Sequence, residues 1–192
     1  MIALSRRDRL WNACATKSCC RTTRVHVTAA DLARLTSALE LPTLAVVLAA
    51  PLRPPDDVDG FVLWPGGPAW ELVLRKNGAV GPLGAPCVFL VETNDGHALC
   101  GAGNARPTSC RAFPAVVDED EVRVLDGTCP CHRWSRDDVS DDECAAALVA
   151  AAEEAADRAL IAEWNRLVEH RGGRHTVEAF CDHLLAACRS PV

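Results

Sequence analysis

No apolar run in this sequence is long enough for a membrane helix. The longest, Leu44 to Ala50, is stopped by Pro51 and falls far short of the roughly 20 residues such a helix needs. The opening residues, MIALSRRDRLWNAC, have neither an apolar stretch nor a small-residue cleavage site, so no secretory leader is expected and the cytoplasm is the expected compartment. Basic charge is scarce as well: a net charge of −6 and a pI near 5.5 argue against nucleic-acid partners, which are held by clustered Lys and Arg. The acidic runs Asp118 to Glu121 and Asp137 to Glu143 match no Ca²⁺ loop and read as solvated charge. No phosphate loop is present. Gly101-Ala-Gly103-Asn-Ala-Arg106 begins a dinucleotide-type glycine pattern, but it follows a short hairpin strand and leads into no clear helix.

Tyrosine is absent and histidines number six, whereas cysteines number 11 in 192 residues. Eight of them stand in order: Cys14, the adjacent Cys19 and Cys20, then Cys87, Cys100, Cys110, Cys129 and Cys131. An odd total cannot pair completely, and a reducing cytosol disfavours a disulfide framework, so a soft-metal site is the expected role. The Cys-x-x-Cys knuckles of common structural zinc sites are missing, as is the Cys-x-x-x-Cys-x-x-Cys spacing of radical enzymes. A vicinal pair, one Cys-x-Cys and separated singles suit ligands gathered from distant loops, as in many iron–sulfur sites; zinc stays open. Cys129-Pro-Cys131 also has the softness Cu(I) selects. A thiol nucleophile built from Cys110 or Cys131 with His132 is disfavoured, because sequence adjacency is not the spatial arrangement that chemistry needs.

The expected fold class is α+β: a small β-rich cysteine-cage domain with flanking helices over residues 1–139, and a helical C-terminal extension over 140–192 packed on it. Val25 to Val27 reads as a short strand. Thr28-Ala-Ala-Asp31 caps a helix running to about Glu40, before Pro42. His26 points away from the valines on strand alternation, which favours an exposed or hydrogen-bonded histidine over a ligand. Phe61 to Trp64 and Glu71 to Arg75 read as strands between proline- and glycine-rich turns. Asn94-Asp95-Gly96 makes a hairpin of Cys87 to Val91 and His97 to Cys100, placing those two cysteines at strand ends. A second hairpin about Asp118 to Asp120 has arms Ala115 to Val117 and Glu121 to Leu125, bringing Cys110 and Cys129 to one end by the same logic. Ser140-Asp-Asp-Glu143 opens a long alanine-rich helix to about His170, and another follows from near Thr176. Cys181 and Cys188, seven apart with Leu184 and Leu185, read as small buried hydrophobes, and Cys144 as structural.

The segment Cys100 to Cys110, with Arg106-Pro107-Thr-Ser-Cys110-Arg111-Ala-Phe113-Pro114, resembles the signature of the CxxCxxCC family of zinc- or iron-chelating domains. Four further elements agree in order: the cysteine cluster ending in Cys19-Cys20, Val25-His-Val27-Thr28-Ala-Ala-Asp31-Leu32-Ala-Arg34-Leu35, Cys87-Val-Phe89-Leu90, and Cys129-Pro130. Together they cover about residues 11 to 134. The chain departs from the pattern at three places. Ala13 and Thr16 stand where the family's opening cluster has cysteines, with Cys14 between them. Ala102-Gly103 replaces a common Ile-Tyr pair, and Cys129-Pro-Cys131-His132 replaces Cys-Pro-Gly.

On this reading Cys14, Cys19, Cys20, Cys87, Cys100, Cys110, Cys129 and Cys131 are the metal ligands. Arg106 and Arg111, bracketing Cys110, offset the negative charge of the centre from outside the thiolate set, or alternatively hold the loop through a carbonyl or carboxylate. The resemblance extends to flagellin lysine methylases, which implies an iron–sulfur cluster as the cofactor, with Zn²⁺ as the alternative. Three functions follow: a metal-dependent enzyme, or an accessory component of one, acting in redox chemistry or methyl transfer on a protein or small molecule; a metal chaperone, store or sensor; and a zinc-stabilised interaction module without catalysis.

Overall fold

The computed structural model describes residues 6–14, 17–52, 59–78, 84–94, 98–125 and 132–189. The architecture is α+β with a helical C-terminal region. Two short helices, α1 (Arg6–Ala13) and α2 (Ser18–Arg21), accompany the opening cysteines. Thr28 caps α3 (Ala29–Leu39). Its hydroxyl accepts the Asp31 N–H at 3.2 Å, and the Asp31 carboxylate accepts the Thr28 N–H at 3.3 Å, so two otherwise orphaned donors are satisfied together. Glu40, in the left-handed region at φ 52°, ends α3 ahead of Pro42.

The apolar run from Leu44 is divided between the single turn α4 (Thr43–Val46) and strand β1 (Val47–Pro51). β1 pairs antiparallel with β2 (Trp70–Leu74), in a register running from Val47 opposite Leu74 to Pro51 opposite Trp70. Two expected strands shrink to single bridges. His26 pairs only with Val73 before the Thr28 cap turns the chain into α3, and Phe61 pairs only with Trp70. Beyond Phe61 the backbone is taken over by side chains: Asn165 Oδ1 accepts the Val62 N–H at 2.9 Å, and the Trp164 indole donates to the Val62 carbonyl at 2.8 Å. A strand ladder cannot use groups already committed in this way.

Two hairpins follow. β3 (Leu90–Glu92) pairs with β4 (Ala98–Cys100), and β5 (Ala115–Asp118) with β6 (Glu121–Val124), the short helix α5 (Thr108–Ala112) lying between them. Glu119 and Asp120 both have positive φ, 48° and 65°, the backbone of a two-residue hairpin turn that matches strand twist. The Ser140–Glu143 capping box forms, with the Ser140 N–H donating to Glu143 Oε2 at 2.8 Å. It opens α6 (Asp141–Arg171), which ends at Gly172 and Gly173 with φ 66° and 77°. Helix α7 (Val177–Arg189) completes the described chain.

Contacts gather these elements into two compact units, each made of two segments: Met1–Val25 with Lys76–Ala151, and His26–Arg75 with Ala152–Val192. The sequence reading divided the chain once, at residue 139; here residues 26–75 fall in one unit with the C-terminal helices. That unit has a core of large side chains, including Leu32, Leu35, Val47, Leu72 and Leu184. Phe61 stacks on Phe180 within it, ring centroids 3.9 Å apart. The unit that holds the cysteines Cys14 to Cys144 is built differently. Its buried apolar cluster comprises Ala112, Ala115, Val139 and Ala147, with Cys144 packed against it, so small residues fill that cluster. Cys181 is buried as expected, whereas Cys188, in the last turn of α7, is exposed.

Candidate metal centre

The vicinal pair lies on α2, its two sulfurs 3.9 Å apart. The Cys20 carbonyl anchors what comes later in the chain: it accepts the Cys87 N–H at 2.7 Å and the Lys76 ammonium at 3.1 Å. Lys76 also forms a β-bridge with Cys87. Cys87 therefore sits beside the pair, on a turn in which its own carbonyl accepts the Leu90 N–H at 2.9 Å, rather than in a paired strand as expected. The turn feeds β3, where Leu90 faces Cys100 across the hairpin. Cys110 is on α5. Cys14 is buried just beyond α1, and its carbonyl accepts from the ammonium of Lys17, itself a buried lysine that also donates to the Asn12 carbonyl at 2.8 Å.

Electrostatics link these six thiols. Cys19 is held down to about 7, chiefly by the hydrogen bond from Cys20 and with help from the Trp11 indole, against burial and the charge of Cys14. Cys20 is driven strongly up by the same hydrogen bond, by burial, and by the charges of Cys19, Cys110 and Cys87. Burial also raises Cys87; the charge of Cys100 adds to this, and Lys76 partly offsets it. Clustered thiolates that repel one another in this way are stabilised by a bound cation. The donor set fits a soft metal. Among the described residues, no three His, Cys, Asp or Glu side chains converge closely enough to hold one ion. Cys129 and Cys131 lie outside the described residues.

Buried donors flank the cysteine segments. Among the described residues, Arg106 Nε, Ser109 Oγ and Arg21 Nε are buried with no hydrogen-bond partner, as are the indole nitrogens of Trp134 and, in the other unit, Trp70, although Arg21 spends a terminal nitrogen on Glu92 at 2.5 Å. Arg111 donates to Thr108 Oγ1 at 3.4 Å. Unsatisfied buried donors are unusual, and an electron-rich group among the cysteines is the acceptor this arrangement suits. Model CxxCxxCC, with the description "Putative zinc- or iron-chelating domain", matches residues 12–130. The chain belongs to the CxxCxxCC family. No curated protein and no solved structure matches it. The matched CxxCxxCC region takes in the ordered cysteines from Cys14 to Cys129.

Sequence reasoning singled out Arg106 and Arg111 but not Lys17, Lys76, Arg21 or Ser109. Three of these adjoin or lie between the cysteines, so proximity in sequence was an available signal. Lys76 carried none, since contacts between distant segments, its bridge to Cys87 and its bond to the Cys20 carbonyl, bring it there. Of the Ala102-Gly103 pair that stands in place of Ile-Tyr, Ala102 is buried and Gly103 is exposed.

Asp138 braces the chain just after the CxxCxxCC region. Its Oδ2 accepts the Ser135 N–H at 3.0 Å and the Ser135 hydroxyl at 2.9 Å and lies 3.1 Å from His132 Nε2, while Oδ1 forms an ion pair with Arg6 Nε at 2.9 Å. Burial alone would raise its pKa, but these donors and the Arg6 charge outweigh burial and hold it below the ordinary carboxylate range. A depressed folded-state pKa gives stability that is present above the unfolded value, near 3.9, and is lost as pH falls through the folded one. Asp138→Asn is therefore expected to cost about 2 kcal/mol at pH 7 and to flatten the acid loss of stability. Urea unfolding at neutral and acidic pH tests this; an unchanged acid slope in the variant would exclude Asp138 as its source.

Proposed function

We propose that the cysteine unit binds an iron–sulfur centre, held by Cys19, Cys20, Cys87, Cys100 and Cys110 together with Cys14, Cys129 and Cys131, and acts in redox chemistry or in modification of a protein or small molecule. The observation that carries this reading is the set of buried donors without partners, Arg106 Nε, Ser109 Oγ and Arg21 Nε, on the same segments as the cysteines. Sulfide-bridged clusters accept hydrogen bonds at their sulfurs, and their potentials are set by such donors, by net charge and by exposure. When bound, such a centre supplies electron transfer or Lewis acidity that the amino acids lack.

The chain's own residues have separate tasks in this reading. The Cys20 carbonyl and Lys76 keep Cys87 beside the vicinal pair. Arg106 and Ser109 donate toward the centre from either side of Pro107. Lys17 donates to the Cys14 carbonyl and so holds the backbone beside that thiol.

The test is iron, zinc and acid-labile sulfide content, with a visible spectrum, on protein purified without oxygen. Iron with stoichiometric sulfide is the expected result. Zinc without sulfide would overturn the reading and favour a zinc-stabilised interaction module.

A further inference from the structure

The other compact unit contains a cleft of about 200 Å³ lined by His26, Asp59, Glu154, Asp157, Arg158 and Ile161. Four of these lie on α6 at positions 154, 157, 158 and 161, the i, i+3, i+4, i+7 pattern of a single helical face. Two kinds of group meet there. Asp157 is 97% buried and fully engaged: Oδ1 accepts the Ala29 N–H at the start of α3 at 2.8 Å, and Oδ2 lies 3.3 Å from His26 Nε2. Asp59 and Arg158, both exposed, and the half-buried Glu154 border the same space and have no hydrogen bond or ion pair with another described residue. Glu154 and Arg158 are in the i, i+4 order that ordinarily pairs on a helix, yet no ion pair joins them.

The charge pattern is thus two carboxylates and one guanidinium not spent on other described residues, with the apolar Ile161, around an imidazole fixed by a buried carboxylate. A volume of this size lies below that of pockets for drug-sized ligands and suits a short carbon skeleton. We propose that this cleft binds a small zwitterion, a molecule with an ammonium and a carboxylate on one short carbon skeleton. Glu154 and Asp59 take the ammonium, Arg158 the carboxylate, and Ile161 packs on the carbons. The field of the cleft supports the cationic half. Burial lowers the pKa of His26, but the hydrogen bond and charge of Asp157, with the charges of Glu154 and Glu71, outweigh burial and raise it. An arriving ammonium competes with the His26 proton. The proposal involves none of the cysteines and stands apart from the metal reading.

The probe is 4-aminobutanoate, titrated into the full chain by calorimetry and by NMR of the histidine rings, the His26 signal being assigned by its loss in His26→Gln. Saturable binding is expected, with a lowered His26 pKa in the complex. Butylamine and butanoate, each carrying one of the two charges, are expected to bind at least about tenfold more weakly, as are the variants Glu154→Gln and Arg158→Gln. Neither side chain makes a hydrogen bond or ion pair with a described residue, so the fold is expected to persist, and each variant's ligand-free His26 pKa serves as its own baseline because Glu154 acts on it by charge. No saturable change at His26 would overturn the proposal. So would equal binding of butylamine, which marks a plain cation site, or undiminished affinity in Arg158→Gln.

Discussion

Cys20→Ser is expected to reduce bound metal, and any accompanying sulfide, to background. The side chain of Cys20 is the electrostatic hub of the cluster, since it responds to Cys19, Cys87 and Cys110 at once. Its carbonyl, which receives the Cys87 N–H and the Lys76 ammonium, survives the substitution. The variant therefore removes a thiolate while keeping the backbone scaffold, and hard hydroxyl oxygen is a poor replacement for a soft sulfur ligand. Cys144→Ser supplies the comparison, because Cys144 packs against the alanine and valine cluster and is expected to leave metal content unchanged. Elemental analysis of the two variants side by side decides the matter. Retention of full metal by Cys20→Ser would remove the vicinal pair from the ligand set.

Phe180→Ala is expected to cost about 3–5 kcal/mol of stability in the unit that contains α7. Phe180 is 1% exposed; it stacks on Phe61 and meets the Trp164 ring edge-on at 5.4 Å. Phe61 in turn bridges Trp70 in β2, so the lost ring supports both segments of that unit. Deleting it removes transfer free energy and leaves a cavity that neighbours held by the Val62–Trp164 and Val62–Asn165 hydrogen bonds fill only in part. Urea unfolding followed by tryptophan fluorescence measures the loss. A cost below about 1 kcal/mol would mean that the site collapses freely.

Local chemistry was readable in the sequence. Thr28 with Asp31, and Ser140 with Glu143, announced the starts of α3 and α6, because capping is settled within four residues. The turn at Glu119 and Asp120 was found for the same reason. Long-range pairing was not readable: nothing near Val47 indicates that its partner is Leu74, and nothing near Val62 indicates that Trp164 and Asn165 capture its backbone. The candidate centre divides along the same line. The order of the cysteines identified the family, whereas the positioning of Cys87 by the Cys20 carbonyl is a contact between distant segments. The His26 cleft was invisible for that reason too, since Asp157 lies 131 residues from His26.

The cysteine unit is made of two stretches of chain, and that has a consequence for how it is completed. Cys20 and Cys87 are roughly 70 residues apart in sequence, and residues 26–75 of the intervening chain belong to the other unit. An ion gripped by both would act as a clasp on that long loop, removing about 4 kcal/mol of chain entropy from the unfolded ensemble. During synthesis the early thiols emerge well before their later companions. Loading thus waits until the later thiols, to Cys131, have left the ribosome, and a chain truncated ahead of Cys87 is expected to leave the early thiols exposed to oxidants.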